Sequence, residues 1–235
     1  MKLWKKNKMD TNRDFEAFKD DVSWFLKPNS NIVFKDSELR ISEEFKETFP
    51  KLNGLIQKAR VTYIDIDSQP YILFAWDCID NQICGWLNKI EEADFYNCEM
   101  IEEHELLLRN IGGIKESFNE PEDSFTNNQN FLFIGSECIR GIGDWDDYYS
   151  MMCEDDNYEK IDSSNYLAFV YEANGALTLY EPESKKVFLF SHDHCFDNVD
   201  FIENQPEYTF HKFKNVDTFN DYVEELAAQW IKFIK

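Results

Sequence analysis

The chain has 235 residues, of which 43% are hydrophobic and 16% aromatic, enough for a packed core and too much for a disordered chain. Its 46 acidic against 24 basic residues give a net charge of −22, a field that repels nucleic acid and anionic membranes and attracts cationic surfaces. No run reaches the roughly eighteen apolar residues of a membrane span, and the basic start MKLWKKNKMD leads into TNRDFEAFKDD rather than an apolar secretory core, so a cytoplasmic location is expected.

In chain order, Phe15, Phe18, Val22, Phe25 and Leu26 recur at helical spacing and predict a helix from Thr11 to Lys27, ended by Pro28. Ser42 ahead of Phe45, Phe49 and Leu52 predicts a second, shorter helix capped by the serine and closing near Gly54. The period then changes to two. ARVTYIDID alternates, QPYILFAWD continues apolar after a turn at Asp67-Ser68-Gln69-Pro70, and together they predict a hairpin of Val61–Ile66 with Tyr71–Trp76.

Met100, Ile101, His104, Leu107, Leu108 and Ile111 predict a helix over 99–111, with glutamates at its positive end and Gly112-Gly113 after it. Residues 119–130 read as a loop. From Phe131 the pattern predicts strands Phe131–Ile134, Tyr148–Met152, Tyr166–Tyr171, Ala176–Tyr180, Val187–Ser191 and Tyr208–Phe213. Asn174-Gly175 between two alternating runs predicts a type I′ hairpin turn. Thr218 to Lys232, capped by Asp217, predicts a closing helix. Strands and helices are segregated rather than alternating, so the expected class is α+β with a mostly antiparallel meander sheet flanked by N-terminal and C-terminal helices.

The charge is uneven. Glu91 to Asp162 carries twenty Asp and Glu against Arg109, Lys115, Arg140 and Lys160, a net of −16. That clustering favours a basic partner over acidity that serves solubility alone. The six cysteines (Cys78, Cys84, Cys98, Cys138, Cys153, Cys195) are scattered without a Cys-x-x-Cys pair, and are expected to be reduced and mostly buried.

The segment FLFIGSECIRGIGDWDDYY, Phe131 to Tyr149, gathers three of the eight glycines ahead of Asp144, Trp145, Asp146 and Asp147. A phosphate loop would need a lysine after the last glycine, and aspartates stand there instead. The aspartates offer hard oxygen ligands, but without the register of a calcium loop. SHDHCFD places His192, His194, Cys195 and Asp197 close together, a partial zinc-ligand set that needs more ligands from elsewhere. No nucleophile elbow exists around Gly135-Ser136. Nothing in these patterns requires an enzyme, a cofactor or a metal.

The order of the pieces carries more. A helix through Leu106–Leu108 ends at Gly112-Gly113. A strand then runs into Gly135-Ser136, and a loop bears Gly141, Gly143 and Asp144. A later strand finishes at His192-Asp193, and Phe219-Asn220-Asp221-Tyr222-Val223 opens the last helix. Over roughly residues 95–235 this resembles the SUKH superfamily, which groups fungal cell-wall synthesis regulators with bacterial immunity proteins. The resemblance implies a SUKH-like α+β domain over 96–235, with 1–95 as a helical and β-hairpin extension of it or a separate lobe. It implies a non-enzymatic immunity protein that binds and neutralises a toxin domain, for instance a basic nuclease. The alternatives are a regulatory or scaffold module of the same superfamily, or a metal-dependent hydrolase using His192 and His194. An acidic surface would meet a basic toxin through Asp144, Trp145, Asp146, Asp147, Tyr148, Glu154, Asp155 and Asp156. The aromatic residues there either belong to that interface or begin a buried strand; no nucleic acid or membrane partner is expected, and the sequence leaves the oligomeric state open.

Overall fold

A computed structural model describes residues 13–127, 129–193 and 198–235. The protein is built on one antiparallel sheet whose strands, in chain order, are β1 (Ile32–Lys35), β2 (Arg60–Ile66), β3 (Gln69–Asp77), β4 (Ile83–Lys89), β5 (Gly113–Phe118), β6 (Gln129–Leu132), β7 (Ile139–Arg140), β8 (Leu167–Glu172), β9 (Leu177–Tyr180), β10 (Val187–Phe190), β11 (Val199–Phe201) and β12 (Phe210–Phe213). Spatial order follows the chain from β1 to β6, then β8-β9-β10-β12-β11, with the short β7 pairing β8. Six helices pack on it: α1 (13–21), α2 (Glu43–Thr48), α3 (Pro50–Ile56), α4 (Glu102–Ile111), α5 (Asp146–Asp156) and α6 (Phe219–Phe233). The fold class is therefore the expected α+β.

Alternation along the strands divides the apolar side chains between the two faces. One face carries Phe74, Trp76, Trp86, Leu167, Phe169 and Tyr180 beneath α2, α3, α4 and α6. Its centre is three indoles, Trp76, Trp86 and Trp230, with Trp86 5.1 Å from each of the other two. On the opposite face, α1 sets Phe15, Phe18 and Val22 against Ile64, Leu73, Leu87 and Phe118. Further along that face, α5 sets Tyr149 and Cys153 against Ala168, Leu177, Leu179, Phe190 and Phe210. The strands before residue 95 join those after it, because β4 pairs β5 from Gly85↔Phe118 to Lys89↔Gly113.

Several elements differ from expectation for local reasons. The first helix ends at residue 21 rather than Lys27, the following residues forming turns. Pro50 splits the second helix: Phe49 takes φ −127°, ψ 66°, and Pro50 restarts the chain as the first residue of α3. The Asn174-Gly175 turn is not type I′. Gly175 N–H donates to Glu172 O and Glu172 N–H to Ala176 O at 2.9 Å each, and Gly175 alone is left-handed at φ 93°, giving a three-residue loop. Thr218, not Asp217, caps α6, its hydroxyl accepting from Asp221 N–H while Asp221 accepts from Thr218 N–H. Five of the six cysteines lie among the described residues: Cys98, Cys138 and Cys153 are free, whereas Cys78 and Cys84 form a disulfide closing the β3–β4 turn. That pairing corrects the expectation that all six are reduced.

Candidate functional site: an acidic helix

The largest correction falls on the segment that carries the charge. Tyr148–Met152, expected as a strand, lies inside α5. Gly141 (φ 66°) and Gly143 (φ 58°) turn the chain out of β7 into a 3-10 turn, Gly143–Trp145, which runs directly into the helix. Tyr149 and Cys153, four residues apart, form its buried seam, and Asn157 ends it in the left-handed conformation (φ 57°).

This geometry sends the carboxylates outward. Asp144, Asp146, Asp147, Glu154, Asp155 and Asp156 are exposed, as is Met151 in their midst at 51%. Asp146 has an ion pair, with Lys160 Nζ at 2.6 Å. Asp146 and Asp147 complement the positive end of the helix dipole. Glu154, Asp155 and Asp156 do the opposite, crowding three negative charges onto the negative end, where each costs a few tenths of a kcal/mol or more.

The aromatic residues divide. Tyr149 is buried; its hydroxyl donates to Gln205 Oε1 and accepts from Ile161 N–H at 3.0 Å. Burial raises its pKa, so it stays a neutral donor. Trp145 is half-buried, donating from Nε1 to Gly175 O at 3.0 Å and stacking on His192 with ring centroids 4.0 Å apart. Tyr148, also half-buried, reaches Tyr208 O at 3.4 Å. These contacts hold α5 rigidly on β8–β10 and against the segment 202–208.

That segment was missed as part of the surface. Gln205 accepts from Tyr149 and donates to Glu159 O at 2.9 Å, which brings exposed Glu203, Glu207, Tyr208 and Phe201 (59%) beside α5. The sequence signal was DFIENQPEY, three acidic and two aromatic residues with no basic one.

Of the candidate ligand set, His192 alone lies among the described residues. His194, Cys195 and Asp197 lie outside the described residues. His192 packs on Trp145, with Nε2 3.8 Å from Asp193. His104 is buried on α4 and His211 within β12. Among the described residues, no group of three or more His, Cys, Asp or Glu converges as a metal site. Ser136 is clasped structurally, its hydroxyl donating to Glu91 and accepting from Lys89 Nζ at 2.9 Å. A cleft of about 640 Å³ opens between residues 36–40, the floor residues Tyr63 and Ile72, and the end of α4, and no residue of α5 lines it. The α5 carboxylates stand exposed on one helix, a placement suited to a macromolecular partner.

No protein-family model, curated protein or solved structure matches the chain. Fold and surface define its class: an α+β protein on a twelve-stranded antiparallel sheet, with one acidic helix presented outward. No helix among the described residues is long and apolar enough to cross a membrane.

Proposed function

We propose that the protein is a cytoplasmic, non-enzymatic binding protein of the SUKH type that neutralises a cationic toxin domain, such as a nuclease, by covering it with the acidic face of α5. The observation that supports this best is the placement of Glu154, Asp155 and Asp156 at the negative end of α5. A helix selected for stability would carry lysine or arginine there. Local electrostatic cost kept on an exposed, well-anchored helix fits a surface shaped by a partner. A carboxylate-covered surface steers a basic protein into encounter and competes with the phosphates such a toxin would bind. Trp145 and Tyr148 rim this face and supply aromatic contact area, with Met151 central to it.

Co-expression with the toxin encoded beside its gene tests the reading. Survival of the host and co-purification of the two proteins are expected; absence of both sinks it. A solitary gene with no adjacent toxin would favour the alternative, a regulatory or scaffold module using the same face.

A further inference from the structure

The sheet has two edges, β1 and β11, at opposite ends of the strand order. They are finished differently. β11 is three residues long, with Asp200 exposed in its middle and Glu203 following, a short charged edge of the kind that discourages pairing. β1 instead runs Ile32, Val33, Phe34, with Val33 44% and Phe34 43% exposed, in regular register and without proline or bulge. Its terminal Lys35 is drawn to Asp65. The window Trp24 to Lys35 contains Lys27 and Lys35 and no acidic residue, although the chain as a whole carries −22. The strand itself therefore brings no carboxylate of its own to the edge.

The hydrogen-bond phase fixes which backbone groups are open among the described residues. Asp67 N–H donates to Asn31 O at 2.9 Å, and Val33 pairs with Asp65 and Lys35 with Tyr63. In an antiparallel ladder the bonded pairs alternate, so Asn31, Val33 and Lys35 face β2. The N–H and C=O groups of Ile32 and Phe34 therefore point away from the sheet. Ile32 and Phe34 share the face on which Phe34 meets Phe15, ring centroids 5.3 Å apart, and Val33 lies on the other.

These open groups are complementary to themselves. Laid antiparallel with Val33 opposite its own copy, Ile32 of one chain falls opposite Phe34 of the other, and both such pairs exchange their backbone bonds. The Val33 pair is then the close, non-bonded one, Ile32 meets Phe34 as an apolar cross-strand neighbour, and Lys35 falls opposite Asn31 rather than another lysine. We propose that β1 is a self-association edge, through which two copies join their sheets about a two-fold axis at Val33. A foreign strand would have to supply this apolar pattern and phase; the second copy already has it. Pairing four residues per chain is small, so the dimer is weak and reversible, and the net charge on each copy makes it stronger as salt is added. α5 sits over β8–β10, away from β1, so both acidic faces stay available in the dimer.

The test is sedimentation equilibrium over a concentration series at low and high salt. The mass should rise from 28.0 kDa toward twice that value with concentration, and at lower concentration when salt is high. Val33→Lys and Val33→Glu, at an exposed position, should each remain monomeric with wild-type circular dichroism, because like charges then face each other on the axis. An equimolar mixture of the two should restore the dimer. A wild-type protein that stays monomeric throughout overturns the proposal, whether or not a foreign peptide binds β1. So does a dimer untouched by Val33→Lys, or a mixture that fails to associate.

Discussion

Acid should unfold this protein partly through one histidine. His104 lies fully buried on α4, with Nε2 2.7 Å from Phe133 O and Nδ1 3.3 Å from the Tyr180 hydroxyl. A neutral ring donating from Nε2 and accepting at Nδ1 satisfies both neighbours. The bond matters because Phe133 is held left-handed at φ 67°, an uncommon conformation for an aromatic residue. Burial, only partly opposed by the bond to Phe133, lowers the His104 pKa from 6.5 to about 4. Between those values the unfolded chain binds a proton that the folded chain excludes. The His104 contribution is therefore fully present above pH 6.5 and is lost as pH falls toward about 4. The slope approaches about 1.4 kcal/mol per pH unit, and the whole loss is on the order of 3 kcal/mol. Urea midpoints from about pH 7.5 to about pH 4.5 for the wild type and His104→Gln isolate this from the titrating carboxylates and from His211, whose pKa burial also lowers. The variant should be less stable near neutrality by about 1–2 kcal/mol, having lost one buried hydrogen bond geometry, with the gap closing and then reversing on acidification. A gap that is constant with pH would refute the reasoning.

Other perturbations follow from single contacts. Gly112→Ala should cost about 3 kcal/mol or more in chemical denaturation, since Gly112 sits at φ 71° and an added Cβ would lie 2.3 Å from Lys89 O. Cys78 and Cys84 should resist alkylation in the unfolded protein until reductant is added, and Cys78→Ser/Cys84→Ser should lower stability by about 2 kcal/mol, the order expected for so short a loop. Tyr149→Phe should lower the unfolding free energy read from urea titration by about 1–2 kcal/mol by stranding the Ile161 amide and Gln205, and should speed hydrogen exchange in α5 before the sheet.

How much was legible depended on whether local chemistry and burial agreed. β2 alternates into a turn whose Asp67 and Ser68 are both left-handed, β3 follows as an apolar run rich in aromatic residues, and α6 carries a strong apolar stripe, so all three were readable. β4 was not: it is buried on both faces and so lacks alternation, and Gly85 within it looks like a breaker. That glycine is there because a Cβ would meet Phe74 O at 2.0 Å and the Phe118 ring. β1 is a half-exposed edge whose pattern is weak by position. α5 was misread because Tyr148, Tyr149, Met151 and Met152 suit a strand, whereas only Tyr149 and Cys153 face the sheet, a seam too narrow for periodicity to show. The acidic residues themselves were identifiable from composition, and the helix explains why they are exposed together. The contribution of 202–208 was not, because it depends on Gln205 bridging elements distant in sequence.

The central claim is that charge on α5 recognises a basic partner. Its most direct measurement is the association rate with a basic toxin domain encoded by an adjacent gene, where one is found, followed against ionic strength for the wild type and for Asp144→Lys/Asp147→Lys/Asp155→Lys, three exposed positions. The account predicts a wild-type rate that falls steeply with salt and a variant slowed at least about tenfold at low salt, with an unchanged fold. A wild type that does not bind, or a variant that associates at the wild-type rate, would contradict it.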